Sequence, residues 1–324
     1  MWTTFYNRYP FFDIRGVDWQ EQYERYRPEV TAETTDEELF DILCGLLAPL
    51  NDGHVTLTAT MSGKTRHFCP EKKPRFWQEF NDGEIEELLR HDGKDSGRER
   101  FRSAGWNRGV DASLLPVASG WLHAHPRVGR VLKHDLVAAL DAIARDFRDL
   151  SGYIIDIRNC PGGDDSTAIT IINRFCDRRR VAFHRRTKIG PGDNDLTPAR
   201  TWYIEPHGDV QFRGPIVLLT CDSVFSGGEA FALAIGALPY VTIVGDHTNG
   251  IFSYELEKTL PNDWNYTLSY QKYYSSDMVC YEGKGVPVDI ELLNEKADIE
   301  VGIDPLITRA LELVEVWDTP GSDE

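Results

Sequence analysis

Ser226 has the residue type and the setting that best suit covalent chemistry in this chain. The apolar run Ile216–Thr220 precedes Asp222–Ala230, in which Ser226 is followed by two glycines. This order predicts a buried strand, a sharp turn and a helix that begins just after the serine. Because a helix start exposes unpaired N–H groups, a serine hydroxyl there can become a nucleophile beside an oxyanion site. The alternative is that Ser226 only caps the helix.

A second glycine pair follows another apolar run. Tyr153–Ile157 is predicted to be a strand, and the turn Arg158–Gly163 after it ends in Pro-Gly-Gly. Ligands of α/β proteins bind at the carboxyl ends of strands, which directs attention to this turn and to the serine turn. Paired glycines can turn a backbone N–H toward a substrate carbonyl, which supplies half of an oxyanion hole. The alternative is a plain tight turn before a helix.

Regular elements are predicted around both turns. Thr35 and Glu38 match a capping box, and apolar residues recur through Leu39–Leu47 with the spacing of an amphipathic helix. From Pro116 onward strands alternate with helices, which predicts an α/β core with a largely parallel sheet. The predicted core elements are Val117–His125, His134–Leu150, Tyr153–Ile157, Ser166–Cys176, Ile216–Thr220, Tyr240–Val244 and a hairpin of Tyr254–Leu260 with Tyr266–Tyr273.

The remaining segments are predicted from their weak patterning. Residues 61–115 are polar and charged, which predicts an irregular insertion or lid with one helix near Gly83–Leu89. Residues 317–324 are predicted to be a disordered tail. We therefore expect a helical N-terminal subdomain (residues 1–60), the insertion (61–115) and an α/β core (116–316).

Charge excludes several classes of partner. The chain has 35 Lys and Arg against 52 Asp and Glu, a net charge of −17, which argues against binding to nucleic acids or anionic membranes. The basic segment Arg178–Lys188 is predicted to be a solvated edge strand. No apolar run reaches the roughly eighteen residues of a membrane span, so membrane insertion is not expected. The first ten residues lack a signal peptide, which favours a cytoplasmic location unless the chain has been trimmed.

No metal or other cofactor is expected. The six cysteines are scattered without a Cys-x-x-Cys pair, which indicates reduced thiols rather than a zinc site or a disulfide framework. His123 and His125 would share one face of a strand, but the sequence offers no third ligand beside them.

Four segments of the chain carry motifs that follow one another in order. They are Leu50–His54, Tyr153–Gly163, Asp222–Ala230 with Val244–Gly250, and Glu282–Asp289. Together they resemble the family of C-terminal processing and tricorn-core serine peptidases, over most of the chain apart from roughly residues 60–115. The resemblance implies a crotonase-like (ClpP-type) α/β spiral core with a helical N-terminal subdomain, in the tricorn-like and retinoid-binding-module branch.

The resemblance also implies which residues catalyse. Processing peptidases pair the serine with a lysine after a glycine-bounded turn, but Ile251 occupies the matching position here. The tricorn-like arrangement instead implies His54 as general base and Glu282 as its support. N–H groups of Gly227 and of Gly163 or Gly162 would bind the oxyanion. Gly53 replaces the serine that joins histidine to glutamate in that arrangement, so the link would be direct, through water, or through another hydroxyl such as Thr56.

The resemblance implies a peptide or protein substrate. Residues Thr58–Leu115 show no carboxylate-binding loop of a PDZ domain, so capture of protein tails by such a domain is not supported. One alternative is a non-catalytic protein that binds an apolar small ligand on the same fold. A second is an acyl-CoA enzyme, which uses a similar oxyanion hole. Substrate preference and oligomeric state stay open.

Overall fold

Three sheets organise the part of the chain that the computed structural model describes, which is residues 1–71, 73–88, 101–103, 112–116, 133–146, 152–212 and 214–317. The predicted strand Val117–His125, with His123 and His125, lies outside these residues, and so does the predicted tail beyond residue 317. The helices are α1 (Trp2–Arg8), α2 (Phe12–Arg15), α3 (Trp19–Tyr26), α4 (Asp36–Leu47), α5 (Arg75–Glu79), α6 (Asp82–Leu88), α7 (Lys133–Asp146), α8 (Asp165–Ile172), α9 (Gly227–Ile235), α10 (Lys296–Glu300) and α11 (Pro305–Trp317).

The strands lie between these helices along the chain. They are β1 (Thr56–Met61), β2 (Lys64–Phe68), β3 (Phe101–Ser103), β4 (Ala112–Pro116), β5 (Gly152–Asp156), β6 (Arg180–Thr187), β7 (Arg200–Ile204), β8 (Ile216–Thr220), β9 (Val241–Gly245), β10 (Glu255–Thr259), β11 (Asn265–Ser269), β12 (Gln271–Tyr274) and β13 (Ile290–Glu291).

The central sheet is parallel and has the order β13-β9-β8-β5-β4-β3. All five residues of β5 and of β8 are buried, since helices cover both faces of the sheet and leave no polar side. Phe231 and Ala234 of α9 pack on one face, and Leu306 and Ala310 of α11 pack on the other. The prediction of an α/β core with a largely parallel sheet is confirmed.

The N-terminal helices pack on a four-stranded antiparallel sheet, β10-β11-β1-β2. Thr35 and Glu38 form the predicted capping box at the start of α4. Phe5 of α1, Trp19 of α3 and Leu47 of α4 share one apolar core with Tyr266 of β11. The helical N-terminal third is therefore joined by packing to strands from near residue 260, which sequence order does not reveal.

Two sequence predictions need correction. The basic strand β6 is the middle strand of the sheet β12-β6-β7 and not a solvated edge, because Ala182 and Phe183 anchor it in the core. The second arm of the predicted hairpin divides at Tyr270, so that β11 pairs with β10 while β12 pairs with β6.

The segment predicted as an irregular insertion contains regular structure. It opens with β2, which is antiparallel to β1, and α6 agrees with the helix expected near Gly83–Leu89. β4 is parallel to β5, so residues 112–116 extend the central sheet. A lid in this segment and the division of the chain at residues 60 and 115 stay predictions.

Glu229 stabilises the turn that carries Ser226. Its carboxylate is fully buried in the first turn of α9 and accepts hydrogen bonds from Thr248 Oγ1, Gly250 N and Ile251 N, each at 2.6 Å. The carbonyl of Ile251 in turn accepts the N–H of Ser226 at 3.0 Å. Burial raises the pKa of Glu229 to about 7, and the three donors oppose that rise. Glu229 thus ties the loop after β9 to the serine turn.

We expect Glu229→Gln to lower the free energy of unfolding by about 1–3 kcal/mol, because an amide NH2 cannot accept the Ile251 N–H. The folded wild type keeps its proton to about pH 7, whereas the unfolded chain loses it near its ordinary pKa of 4.5, so this group's contribution to stability falls as the pH rises between them. The advantage of the wild type over the variant should therefore shrink between about pH 5 and pH 7.5. Urea unfolding at each pH measures the difference in free energy of unfolding between the two proteins, and Glu257→Gln, at an exposed position, is the control. A difference that grows as the pH rises contradicts this account.

Candidate active site

Ser226 occupies a strained position between β8 and α9. Its backbone has φ 55° and ψ −121°, a region that residues with a side chain rarely adopt. The Ser226 side chain makes no capping hydrogen bond to α9, so the alternative of a plain helix cap does not describe this turn. Its N–H is held by the Ile251 carbonyl, and its carbonyl accepts the N–H groups of Glu229 and Ala230. The backbone is thereby fixed while the hydroxyl stays available.

The structure brings His54 to this hydroxyl. His54 Nε2 lies 3.0 Å from Ser226 Oγ although the two residues are 172 positions apart. His54 follows a turn before β1, where its N–H donates to Asp52 Oδ1 at 2.9 Å and its carbonyl accepts Thr267 Oγ1 at 2.7 Å. The ring packs against Phe225, with centroids 4.7 Å apart. This distance permits transfer of a proton from serine to imidazole.

Burial sets the charge state of His54. The residue is only 3% exposed, and this burial lowers its pKa from 6.5 to about 4. The negative charge of Asp52 opposes that shift, and the positive charge of Arg15 adds to it. The imidazole is therefore neutral at pH 7 and able to accept a proton. Within the described residues, its second nitrogen, Nδ1, has no hydrogen-bond partner.

Glu282 is buried in the same region but does not bond to the histidine. Its Oε1 accepts Arg15 Nη2 at 3.0 Å and its Oε2 accepts the N–H of Phe252 at 3.1 Å. Thr56 does not provide the link either, because its Oγ1 pairs with Thr267 Oγ1 at 2.7 Å. Of the three links considered from the sequence, the direct one and the one through Thr56 are absent among the described contacts.

The Pro-Gly-Gly turn lies against the serine turn. Gly162 and Gly163 have φ 102° and 153°. A side chain on Gly162 would lie 2.7 Å from Gly227 N and 2.8 Å from Ser226 Cβ, and one on Gly227 would collide with the Gly163 carbonyl oxygen. Within the described residues, neither the Gly163 nor the Gly227 N–H has an acceptor. These contacts require glycine and leave two donors beside the hydroxyl.

A groove of about 800 Å³ runs along this side of the serine turn. Phe225 and Pro161 border it, and Trp77, which is 37% exposed, borders it from α5. α5 is attached to the serine turn because Asp222 accepts the N–H groups of Arg75 and Phe76. The groove therefore joins residues of the predicted insertion to Ser223 and Phe225 of the serine turn.

Sequence reasoning missed several residues of the site. Asp52 entered the sequence analysis only as a member of the motif Leu50–His54, and Glu229 only as a member of Asp222–Ala230, and neither was given a role of its own. Arg15 and Tyr9 carried no signal, since they lie in a short helix and its preceding loop. Their roles depend on contacts between distant parts of the chain. Among the described residues, no group of His, Cys, Asp and Glu has the arrangement of a metal site, and no helix has the length and apolar character of a membrane span.

The chain is similar in sequence to known peptidases. The carboxy-terminal processing protease CtpA of Bacillus subtilis is 24% identical over 157 residues, which is 48% of this chain and 31% of the relative. The chain thus spans about a third of the length of that curated relative. Residues 1–48 match the Tricorn protease C1 domain.

Solved structures share the fold over nearly the whole chain. A candidate peptidase from Parabacteroides merdae has a TM-score of 0.76 and 25% identity, covering 97% of this chain and 94% of the other. Mature CPAF has a TM-score of 0.68 and 12% identity, covering 99% and 97%. The photosystem II D1 C-terminal processing protease has a TM-score of 0.54 and 13% identity, covering 90% of each chain.

The family match includes the serine turn. Residues 130–292, about half of the chain, match Peptidase family S41, and they contain both glycine turns, Ser226 and Glu282. The chain therefore belongs to peptidase family S41, a family of serine peptidases.

Proposed function

We propose that this protein is a serine peptidase in which Ser226 attacks the scissile carbonyl and His54 is the general base. The observation that carries the proposal is the 3.0 Å contact between His54 Nε2 and Ser226 Oγ in a buried, hydrogen-bonded setting. Ile251 fills the position where a lysine would serve the other arrangement of the family, and its side chain is buried and apolar. The histidine is the base that the geometry supports.

The reaction follows from these positions. Ser226 Oγ forms a bond to the carbonyl carbon while its proton moves to His54 Nε2, and the carbonyl oxygen gains the negative charge. The N–H groups of Gly227 and Gly163 would stabilise that charge, with Gly162 shaping the approach. His54 then donates the proton to the leaving amine as the C–N bond breaks. Water repeats the sequence on the acyl-enzyme and releases the acid.

Glu282 belongs to this proposal as an electrostatic group. It lies behind the histidine with Arg15, and its hydrogen bonds hold Arg15 and Phe252. We extend the proposal to the fold: a crotonase-like spiral core, a helical N-terminal subdomain and an insertion between them. The parallel central sheet with helices on both faces supports the first part.

Peptides or proteins are the proposed substrates. The relatives include a carboxy-terminal processing protease and a protease that processes the C-terminus of photosystem II D1, so both are named for cutting polypeptides. The groove at the serine turn offers Trp77 and Phe225 as apolar surface. Its charged lining residues are Lys73, Lys296, Glu71, Glu79 and Asp82. Such a groove suits an extended peptide with an apolar side chain near the cut bond.

We expect a fluorophosphonate probe to label the wild type and not Ser226→Ala. His54→Ala should label at least about 100-fold more slowly, because general base catalysis typically contributes that much or more. Controls are Ser276→Ala, after β12, and His207→Ala, an exposed histidine. Mass spectrometry locates the adduct, and hydrolysis of a peptide library is measured beside it. If the folded wild type neither labels nor hydrolyses, the protein is not a serine peptidase and the binding of an apolar ligand becomes the better explanation.

The pH dependence of labelling should carry the signature of a buried histidine. Because burial lowers the pKa of His54 to about 4, its neutral form persists below the pH at which an ordinary histidine, with a pKa of 6.5, is protonated. The labelling rate should hold its plateau to about pH 5 and fall below it. The unfolded chain takes up this proton below about pH 6.5, so stability also declines on acidification, and circular dichroism must show folded protein at each pH. A half-maximal rate at or above about pH 6.5 contradicts the prediction.

A further inference from the structure

Asp52 is a buried carboxylate in direct contact with the segment that carries His54. Its side chain has no exposure to solvent. Oδ1 accepts the His54 N–H at 2.9 Å, and Oδ2 accepts the Tyr9 hydroxyl at 2.9 Å. A buried carboxylate is costly unless such donors satisfy it. The two bonds fix the carboxylate two residues before the histidine and anchor it to the loop after α1.

The charges around Asp52 are unequal in number. Arg15 is the cation that faces it, and Glu282 binds Arg15 at 3.0 Å. Burial raises the pKa values of Glu71 and Glu255, and the negative charge of Asp52 adds to both shifts. Among these described groups, four carboxyl groups therefore lie near one guanidinium.

This arrangement bears on the proton transfer. When the proton moves from Ser226 to Nε2, the imidazole becomes positive inside a buried site, which burial opposes. The charges that act on His54 are those of Asp52, which favours the imidazolium, and of Arg15, which opposes it. Glu282 bonds to Arg15 and makes no bond to the histidine. Burial and the charge of Asp52 raise the pKa of Glu282, while Arg15 and the Phe252 N–H favour its ionised form. In the ion pair, the charge of Glu282 can assist His54 by offsetting that of Arg15.

We propose that Asp52 is the positioning carboxylate of His54, that Tyr9 orients it, and that Glu282 acts by neutralising Arg15. The inference rests on the proposed function, since it assigns the support of the same histidine. Asp52 acts through His54 and does not touch the reacting atoms. The motif Asp52-Gly53-His54 therefore supplies both the base and its counter-charge, and no hydroxyl is needed at Gly53 to relay the effect.

The first test replaces charge without changing shape. Asp52→Asn keeps an oxygen for the His54 N–H and removes the negative charge. Fluorophosphonate labelling of Ser226 should slow by about 100-fold, the scale of a weakened general base. Tyr9→Phe keeps the charge and loses one hydrogen bond, so its rate should fall by less than about fivefold, since one such bond contributes about 1 kcal/mol. Labelling of folded Asp52→Asn at the wild-type rate overturns the inference while leaving the proposed function intact.

The second test separates the role of Glu282 from that of Asp52. Glu282→Gln alone should slow labelling, because it leaves the charge of Arg15 without its partner. Arg15→Met combined with Glu282→Gln removes both charges, and the rate should return to within about threefold of the wild type. If Glu282 supports His54 by any other route, the double variant stays as slow as Glu282→Gln, and the inference is overturned. If Asp52→Asn fails to fold, which thermal unfolding monitors, this comparison still tests the role of Glu282, and Tyr9→Phe tests the orientation of Asp52. Absence of labelling in the wild type overturns the proposed function and the inference together.

Discussion

The contact between His54 and Ser226 is the constraint on which the site depends. Ser226 lies between β8 of the central parallel sheet and α9, and His54 lies just before β1 of the antiparallel sheet under the N-terminal helices. The two residues are 172 positions apart in the sequence. A 3.0 Å contact therefore requires that the two packed units be fixed relative to one another to within a fraction of an ångström. Phe225, Thr267 and the carboxylate of Asp52 lie at this junction and provide the fixing contacts.

Buried and half-buried carboxylates fix the backbone around this contact. Glu229 orders the loop that holds the amide of Ser226, Asp222 holds α5 beside the groove, and Asp52 holds the amide of His54. In each case an acidic side chain satisfies backbone N–H groups that regular structure leaves unpaired. Such bonds orient backbone rather than side chains. The protein therefore positions its reactive groups through the turns that carry them, which suits chemistry at strand ends.

The sequence predicted correctly those elements that depend on a local pattern of residues. β5, β8 and the capping box of α4 depend on short apolar runs and on spacing within a few residues, and the structure has them close to the predicted bounds. It failed where pairing partners are distant. Nothing local distinguishes β6 as a middle strand, since its arginines are polar in sequence but Arg185 packs among aromatic rings and binds Asp165. The division at Tyr270 has the same cause, because β12 leaves one sheet to pair in another.

The residues of the site also differ in whether a local pattern identifies them. Ser226 and the glycine turn were identifiable because a strand, a sharp turn and a helix start leave a local pattern. His54 needed a resemblance, since a lone histidine in a turn is ordinary. Asp52 belongs to the same matching segment, two residues before His54, but it received no role, because an aspartate in Asn-Asp-Gly is accounted for by a turn. Burial separates the two explanations, because an aspartate exposed to water in a turn needs no function. Asp52 has no solvent contact, bonds to Tyr9 and, among the described residues, lies near the cation Arg15, so its charge acts strongly on any charge that develops beside it. In the proposed reaction that charge is the proton on His54.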